Sequence, residues 1–125
     1  MTSFVLLVAA ILTFAIGLVH SYLGEKYILI RLFRQPLPKL FGDDHFTKQT
    51  LRFAWHLTSI AWFGIGVLLI LLYLGDTSRS SLLNVIGTTF AVSALTALLA
   101  SRGKHLSWVA FGAVAIICYV SASVA

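Results

Sequence analysis

The chain has 125 residues, of which 59% are hydrophobic and only 10% are charged, and its mean hydropathy is +0.96. A soluble domain carries about 25% charged residues, so this composition excludes an ordinary water-soluble protein. The net charge of +5 comes from basic residues between the apolar stretches. That distribution sets membrane topology and gives no support to nucleic-acid binding.

Four windows contain no charged residue and are 21 to 24 residues long, namely 1–24, 53–75, 80–101 and 105–125. About 20 residues of helix cross the hydrocarbon core of a bilayer. Because lipid cannot satisfy open backbone polar groups, such long apolar segments are predicted to be helices. The fold is therefore predicted to be all-α and integral to the membrane, as one domain of four transmembrane helices in an up-down-up-down bundle. The predicted spans are about 3–24, 45–74, 80–101 and 105–125.

Residues 25–44, between the first and second spans, are predicted to form an amphipathic segment on the inner membrane surface. The stretch EKYILIRLF mixes apolar and basic side chains closely, as a helix lying along a bilayer does. Pro36 and Pro38 then stop the helix because neither has a backbone donor. Asp44 is predicted to cap the N-terminus of the second span, which begins near His45.

The later connections are short, GDTSRSS and SRGKH, so neighbouring spans are predicted to be antiparallel. In the third span Thr89, Ser93 and Thr96 follow the i, i+4, i+7 spacing of one helix face. Such a face allows close helix packing, either inside the bundle or against another copy of the chain. The alternative is a polar pathway. Cys118 in the fourth span is predicted to be a small buried apolar residue.

Eight of the nine basic residues lie between the first and second or between the third and fourth charge-free windows, and only Arg79 lies between the second and third. The positive-inside rule places the basic segments on the cytoplasmic side. The chain is therefore predicted to be a multi-pass protein of a bacterial-type inner (plasma) membrane, with both termini on the outer side. Anionic lipid headgroups at the inner face are its predicted partners, since each surface-held basic residue contributes about 1 kcal/mol of attraction.

The inner end of the predicted bundle also collects ionisable and aromatic side chains. An ionisable residue in a membrane span is costly, so it marks a candidate functional site by default. His20 shares a face of the first span with Gly17 and Gly24, and Arg52 and His56 share a face of the second. If those two spans are neighbours, the two imidazoles can face one cavity. The candidate ligand-binding residues are His20, Glu25, Arg52, Trp55, His56 and Ser59.

Three functional interpretations of this site stay open. His20 and His56 are candidate metal ligands, because imidazoles from two facing helices can hold a haem or a transition metal. A quinone or a similar small molecule can bind where a few polar groups meet aromatic side chains. Histidine protonation can also move protons or ions through a homo-oligomer.

The sequence contains no catalytic motif, so no catalytic residues are predicted and enzyme activity is left undecided. It predicts a small polytopic membrane protein with a polar histidine site at the cytoplasmic end of the bundle. That protein acts as a binding or transport module, or as a homo-oligomer. The alternative is an accessory or structural subunit of a larger membrane complex, or a redox protein that binds haem, metal or quinone.

Overall fold

The computed structural model describes residues 2–125, with side chains from Phe4 onward, and those residues form helices and no β-strand. Four helices carry the fold, and a single helical turn, α2, follows the first of them. The elements are α1 (Thr2–Leu23), a π-helical segment (Gly24–Leu29), α2 (Ile30–Leu32), α3 (His45–Leu74), α4 (Arg79–Ser101) and α5 (Ser107–Ser123).

Three helical stretches are long and apolar enough to cross a membrane, which makes the chain a multi-pass membrane protein. They are Phe4–Leu32 with 29 residues, His45–Leu74 with 30 and Arg79–Ser101 with 23. The predicted fourth span corresponds to α5, an apolar helix of 17 residues. At 1.5 Å per residue, α5 is about 25 Å long, shorter than the ~30 Å hydrocarbon core.

The first helix does not stop where the charged residues begin. It continues from α1 through the π-helical segment to Leu32, with Glu25 in the first turn of that segment. The sequence has no proline before Pro36, so nothing in the backbone forces an earlier end. Residues 25–32 of the predicted amphipathic segment are therefore helical and joined to the first span without a break, whereas residues 33–44 form turns and a loop before α3.

The helices pack against their neighbours in chain order: α1 against α3, α3 against α4, and α4 against α5. Across residues 2–125 no close backbone approach joins α1 to α4 or α5, so the four helices stand in a row. Glycines bring α1 and α3 together. A Cβ placed on Gly17 would lie 2.5 Å from Cε1 of Phe63, and one placed on Gly66 would lie 2.9 Å from Cε2 of Phe14.

The hydroxyl groups of the small-residue face of α4 are bonded within their own helix, whereas Ser80 at the start of α4 donates to the carbonyl oxygen of Ala122 in α5 at 3.3 Å. Thr89, Ser93 and Thr96 each donate to a carbonyl oxygen four residues earlier, at 2.8 Å. One hydroxyl pair does link helices, because Thr88 Oγ1 lies 2.8 Å from the hydroxyl of Tyr119 in α5. This arrangement favours the packing interpretation of the α4 face over the polar pathway.

The prediction that the side chain of Asp44 caps α3 is wrong. Asp44 occupies the N-cap position, but its side chain accepts no hydrogen bond from the first turn of the helix. The backbone N–H of His45 donates instead to Oδ1 of Asp43, at 3.0 Å. Asp44 turns back to the loop, where Oδ2 accepts from the N–H of Leu37 at 3.3 Å and pairs with Nζ of Lys48 at 2.9 Å.

Candidate functional site

A charged cluster joins the π-helical segment to α3 near the N-terminal end of α3. Arg52 Nη2 lies 2.9 Å from Oε1 of Glu25, and Arg52 Nε donates to Oε2 at 3.3 Å, so the guanidinium grips the carboxylate with two bonds. Nε2 of His56 lies 3.1 Å from the same Oε2. The three side chains are each about one-third exposed. Solvent screening therefore limits the ion pair itself to about 1 kcal/mol or less.

Hydroxyl groups continue the cluster into the contact between α1 and α3. Nδ1 of His56 lies 2.9 Å from Oγ of Ser21, and that oxygen lies 2.6 Å from Oγ of Ser59. Ser59 in turn donates to the carbonyl oxygen of Gly17 at 2.9 Å. The side chain of Ser59 is only 2% exposed. An unbroken line of hydrogen bonds therefore runs from a partly exposed ion pair to a buried carbonyl, and we call it the polar chain.

His20 belongs to a separate aromatic cluster. Its ring stacks on Trp55 with centroids 4.6 Å apart and a 4° angle between planes, and it meets the edge of Trp62 at 5.0 Å. His20 Nε2 donates to the carbonyl oxygen of Trp55 at 3.3 Å, and the Trp55 indole Nε1 donates to the carbonyl oxygen of His20 at 3.1 Å. These reciprocal bonds fix α1 against α3 beside the polar chain.

The close approach of Trp55 explains why a glycine stands at the start of the π-helical segment. Any Cβ on Gly24 would overlap the indole ring of Trp55. The indole therefore lies directly on the helix backbone where the helix widens. π-Helical turns occur often at functional sites, and here the widened turn carries Glu25.

The structure brings five of the six predicted site residues into two adjoining clusters, and Ser59 extends one of them inward. Glu25, Arg52 and His56 form the charged end of the polar chain, whereas His20 and Trp55 form the aromatic cluster. The two histidines that were expected to face one cavity therefore have different partners.

Sequence reasoning missed Ser21, which connects His56 to Ser59. A signal was present, because Ser21 precedes Glu25 by four residues and so shares its face of the helix.

The described side chains offer little to a metal ion. From Phe4 to the C-terminus, no group of three or more His, Cys, Asp or Glu side chains is placed to hold one. Both ring nitrogens of His56 are already engaged, by Ser21 and by Glu25. A haem or metal ligand at this position would have to give up one of those bonds.

A count of donors shows what the polar chain can do chemically. Ser59 donates to the Gly17 carbonyl, so Ser21 must donate to Ser59, and His56 Nδ1 must then donate to Ser21. An ionised carboxylate accepts only, so the contact between His56 Nε2 and Glu25 needs a second hydrogen, on the imidazole or on the carboxyl group. All four bonds are made only when the His56–Glu25 pair holds one proton more than a neutral imidazole and a carboxylate.

Without that extra proton, the hydrogen bonds of the polar chain can rearrange at a small cost in free energy. Nε2–H of His56 would donate to Glu25, the Ser21 hydroxyl would turn to donate to Nδ1, and the Ser59 hydroxyl would turn to Ser21. Only the bond from Ser59 to the Gly17 carbonyl would be lost, and one hydrogen bond contributes about 1 kcal/mol. The two states differ by one proton and by the direction of two hydroxyl groups.

Comparisons of the chain with protein-family models, with curated proteins and with solved structures gave no match.

Proposed function

We propose that this protein is a membrane binding or transport module whose bound species is a proton, held by the His56–Glu25 pair. The observation that carries the proposal is the unbroken polar chain, whose four hydrogen bonds close only when that pair holds one additional proton. Histidine is suited to this task because both ring nitrogens donate when the imidazole is protonated, whereas one of them accepts when it is neutral.

The charged end of the polar chain is also its more exposed end, and we propose that the proton enters there. Arg52, Glu25 and His56 are 36%, 31% and 30% exposed, whereas Ser59 is 2% exposed. A proton from the aqueous side can reach the imidazole at the charged end. Rotation of the Ser21 and Ser59 hydroxyls then carries the change inward to the contact of α1 with α3.

A proton fits the described contacts better than the other candidate ligands. Haem and transition metals need a free ring nitrogen, and His56 has none in this conformation. A quinone needs an apolar pocket beside the polar groups. The stacked rings of His20 and Trp55 fill the space next to the polar chain. Protonation needs no cavity.

We infer an up-down-up-down course of the helices in a bacterial-type inner membrane, with both termini outside and with α5 as the fourth span. The charge-free windows, the short connections and the placement of eight basic residues on one side support this inference. We also propose that the segment 25–44 runs along the inner membrane surface. The exposed apolar side chains of Tyr27, Ile28 and Ile30, among basic neighbours, support that course.

The tautomer of His56 tests the proton-binding proposal directly. Nitrogen NMR of protein with ¹⁵N-labelled histidine, in detergent micelles, reports which ring nitrogen carries hydrogen. We expect hydrogen on Nδ1 of the wild-type imidazole at the low end of a pH series, because Nδ1 must then donate to Ser21, and hydrogen on Nε2 alone at the high end, where the extra proton has left. In Glu25→Gln the amide N–H can donate to Nε2, so we expect hydrogen on Nδ1 alone throughout the series. A wild-type imidazole with hydrogen on Nε2 alone at every pH at which the protein stays folded would contradict the proposal.

Proton movement in proteoliposomes tests the transport form of the same proposal. A pH-sensitive dye inside the vesicles should report proton entry that is lost in His56→Ala and reduced in Ser59→Ala. Ser93→Ala is the matched control, since Ser93 is also buried but donates to its own helix. Equal behaviour of the two serine variants, or wild-type flux no faster than in empty vesicles, would leave the protein without this activity.

A second candidate, an accessory subunit of a larger membrane complex or a homo-oligomer, is favoured by the open arrangement of the helices. The accessible surface is 7820 Å², against about 6,600 Å² expected for a compact monomer of 13.7 kDa. Apolar grooves of about 420 Å³ lie on both sides of the contact between Gly64 and Thr89. If the proton assays give no signal, this candidate takes the place of the first.

A further inference from the structure

A second polar cavity lies at the same end of the molecule, outside the polar chain. It has a volume of about 220 Å³ and lies between the loop before α3 and the turn that joins α4 to α5. The loop and the first turn of α3 contribute Asp43, His45 and Gln49, and the turn contributes Arg102 and Lys104. We call this cavity the basic pocket.

Packed aromatic rings hold the two walls of the basic pocket together. Phe46 of α3 meets Phe41 of the loop at 5.0 Å between ring centroids and stacks on His105 of the turn at 6.1 Å. Nζ of Lys104 lies 5.1 Å above the ring of Phe41. The indole Nε1 of Trp108 donates to the carbonyl oxygen of Gly103 at 3.2 Å, which fixes the turn on α5.

The charges around the basic pocket leave cationic groups without acidic partners. The ion pairs of the described side chains are Lys48 with Asp44, and Arg52 and His56 with Glu25. Arg102 and Lys104 belong to none of them.

One carboxylate, that of Asp43, lines the basic pocket, but its Oδ1 is engaged by the backbone N–H of His45. The N-terminus of α3 adds partial positive charge to the same wall.

We propose that the basic pocket binds a phosphate group, with Arg102 and Lys104 as the cationic residues that hold it. A guanidinium can grip a phosphate with two parallel bonds, and an ammonium adds a point charge.

An anionic phospholipid headgroup is the source that the surroundings of the basic pocket favour. Phe41 and Leu40, which line the pocket, are 70% and 48% exposed, and this is apolar surface available to acyl chains. This proposal is independent of proton binding at His56.

Ligand titration of the full-length protein in micelles tests the proposal. The probes are a short-chain phosphatidylglycerol, a short-chain phosphatidylcholine and inorganic phosphate, and the readout is the thermal unfolding temperature at each concentration. We expect phosphatidylglycerol to stabilise the wild-type protein and to bind about 30-fold more weakly to Arg102→Gln/Lys104→Gln, since each basic group contributes about a fivefold effect. A response to inorganic phosphate that is lost in the same variant would assign the pocket to free phosphate.

The matched control is Arg34→Gln/Lys39→Gln, which removes the same charge from exposed positions of the same loop region, outside the basic pocket. It should bind phosphatidylglycerol like the wild-type protein. Equal weakening in both double variants, or no response to phosphatidylglycerol and phosphate in the wild-type protein, would overturn the proposal. If the pocket variant fails to fold, Arg102→Lys keeps the charge and removes the two-bond grip. If Arg102→Lys then binds phosphatidylglycerol as tightly as the wild-type protein, Arg102 does not hold the phosphate with two bonds.

Discussion

Gly24 lies under the indole ring of Trp55, and a Cβ at this position would overlap the ring. We therefore expect Gly24→Ala to lower the free energy of unfolding by about 1 to 3 kcal/mol, the usual cost of adding a methyl group to a filled contact. Thermal unfolding in detergent micelles, followed by circular dichroism, measures the change.

Gly112 in α5 is the matched control, because no heavy atom lies within 4 Å of a Cβ built there. Gly112→Ala should raise stability by up to about 1 kcal/mol, since alanine favours a helix more than glycine does. Replacing Trp55 by leucine in the Gly24→Ala background should also relieve the overlap. Equal stability of Gly24→Ala and the wild-type protein would show that the indole can move away.

Single residues show where prediction from this sequence succeeded and where it stopped. Glu25 and Arg52 were both predicted as candidate site residues, because charged side chains are costly near a membrane span, and the structure pairs them. The stacking of His20 on Trp55 was not predicted, since helical spacing gives the face of a residue but not its neighbour across the interface. Ser21 was missed because a serine in a membrane helix carries no charge to attract attention.

At the scale of elements, charge patterning identified the helices well and their irregular turns poorly. The charge-free windows located the three long helices because desolvation of charge in lipid is costly whatever the neighbours are. The π-helical turn at Gly24–Leu29 could not be predicted, since it forms where a tryptophan from α3 lies on the helix. The fourth helix begins at Ser107 rather than His105, because His105 Nδ1 accepts from the N–H of Ser107 and so precedes the helix.

The loop before α3 provides a pH-dependent test. The hydrogen bond with Lys48, followed by the N–H of Leu37, lowers the pKa of Asp44 below its ordinary value of 3.8. A lowered pKa in the folded state stabilises the loop at pH above the ordinary value, and this contribution is lost as the pH falls through the lowered pKa. We expect the amide protection factor of Leu37, measured by hydrogen exchange, to decrease below about pH 4.

Asp44→Asn removes the charge and should make that protection lower at neutral pH and independent of pH in the acid range. Asp43→Asn is the control. Its amide oxygen can still accept from the N–H of His45, so the loop should keep the wild-type pH dependence. The same acid transition in Asp44→Asn as in the wild-type protein would assign the effect to another group.

At the scale of the whole molecule, the sequence predicted the number of helices but not which of them pack against each other. An apolar face meets lipid or protein equally well in a bilayer, so hydropathy cannot say which helices touch. The structure places them in a row in chain order, and small residues mark each contact: Gly17 against Phe63, Gly64 against Thr89, and Gly87 against Cys118.

The orientation of the row of helices in the membrane decides from which side the polar chain and the basic pocket are reached. The segments with eight of the nine basic residues meet at one end, where Lys104 lies over Phe41 and Phe46 stacks on His105. Cytoplasmic loops carry the excess of Lys and Arg, so we expect that end to face the cytoplasm. In a Cys118→Ser background, a membrane-impermeant maleimide applied to intact cells should label Thr77→Cys in the outer turn and leave Lys39→Cys unlabelled until the cells are opened. Both substituted positions are exposed in the structure, so a difference between them reports sidedness rather than burial. The reverse labelling pattern would show that the protein has the opposite orientation. The polar chain would then take its proton from the outer side.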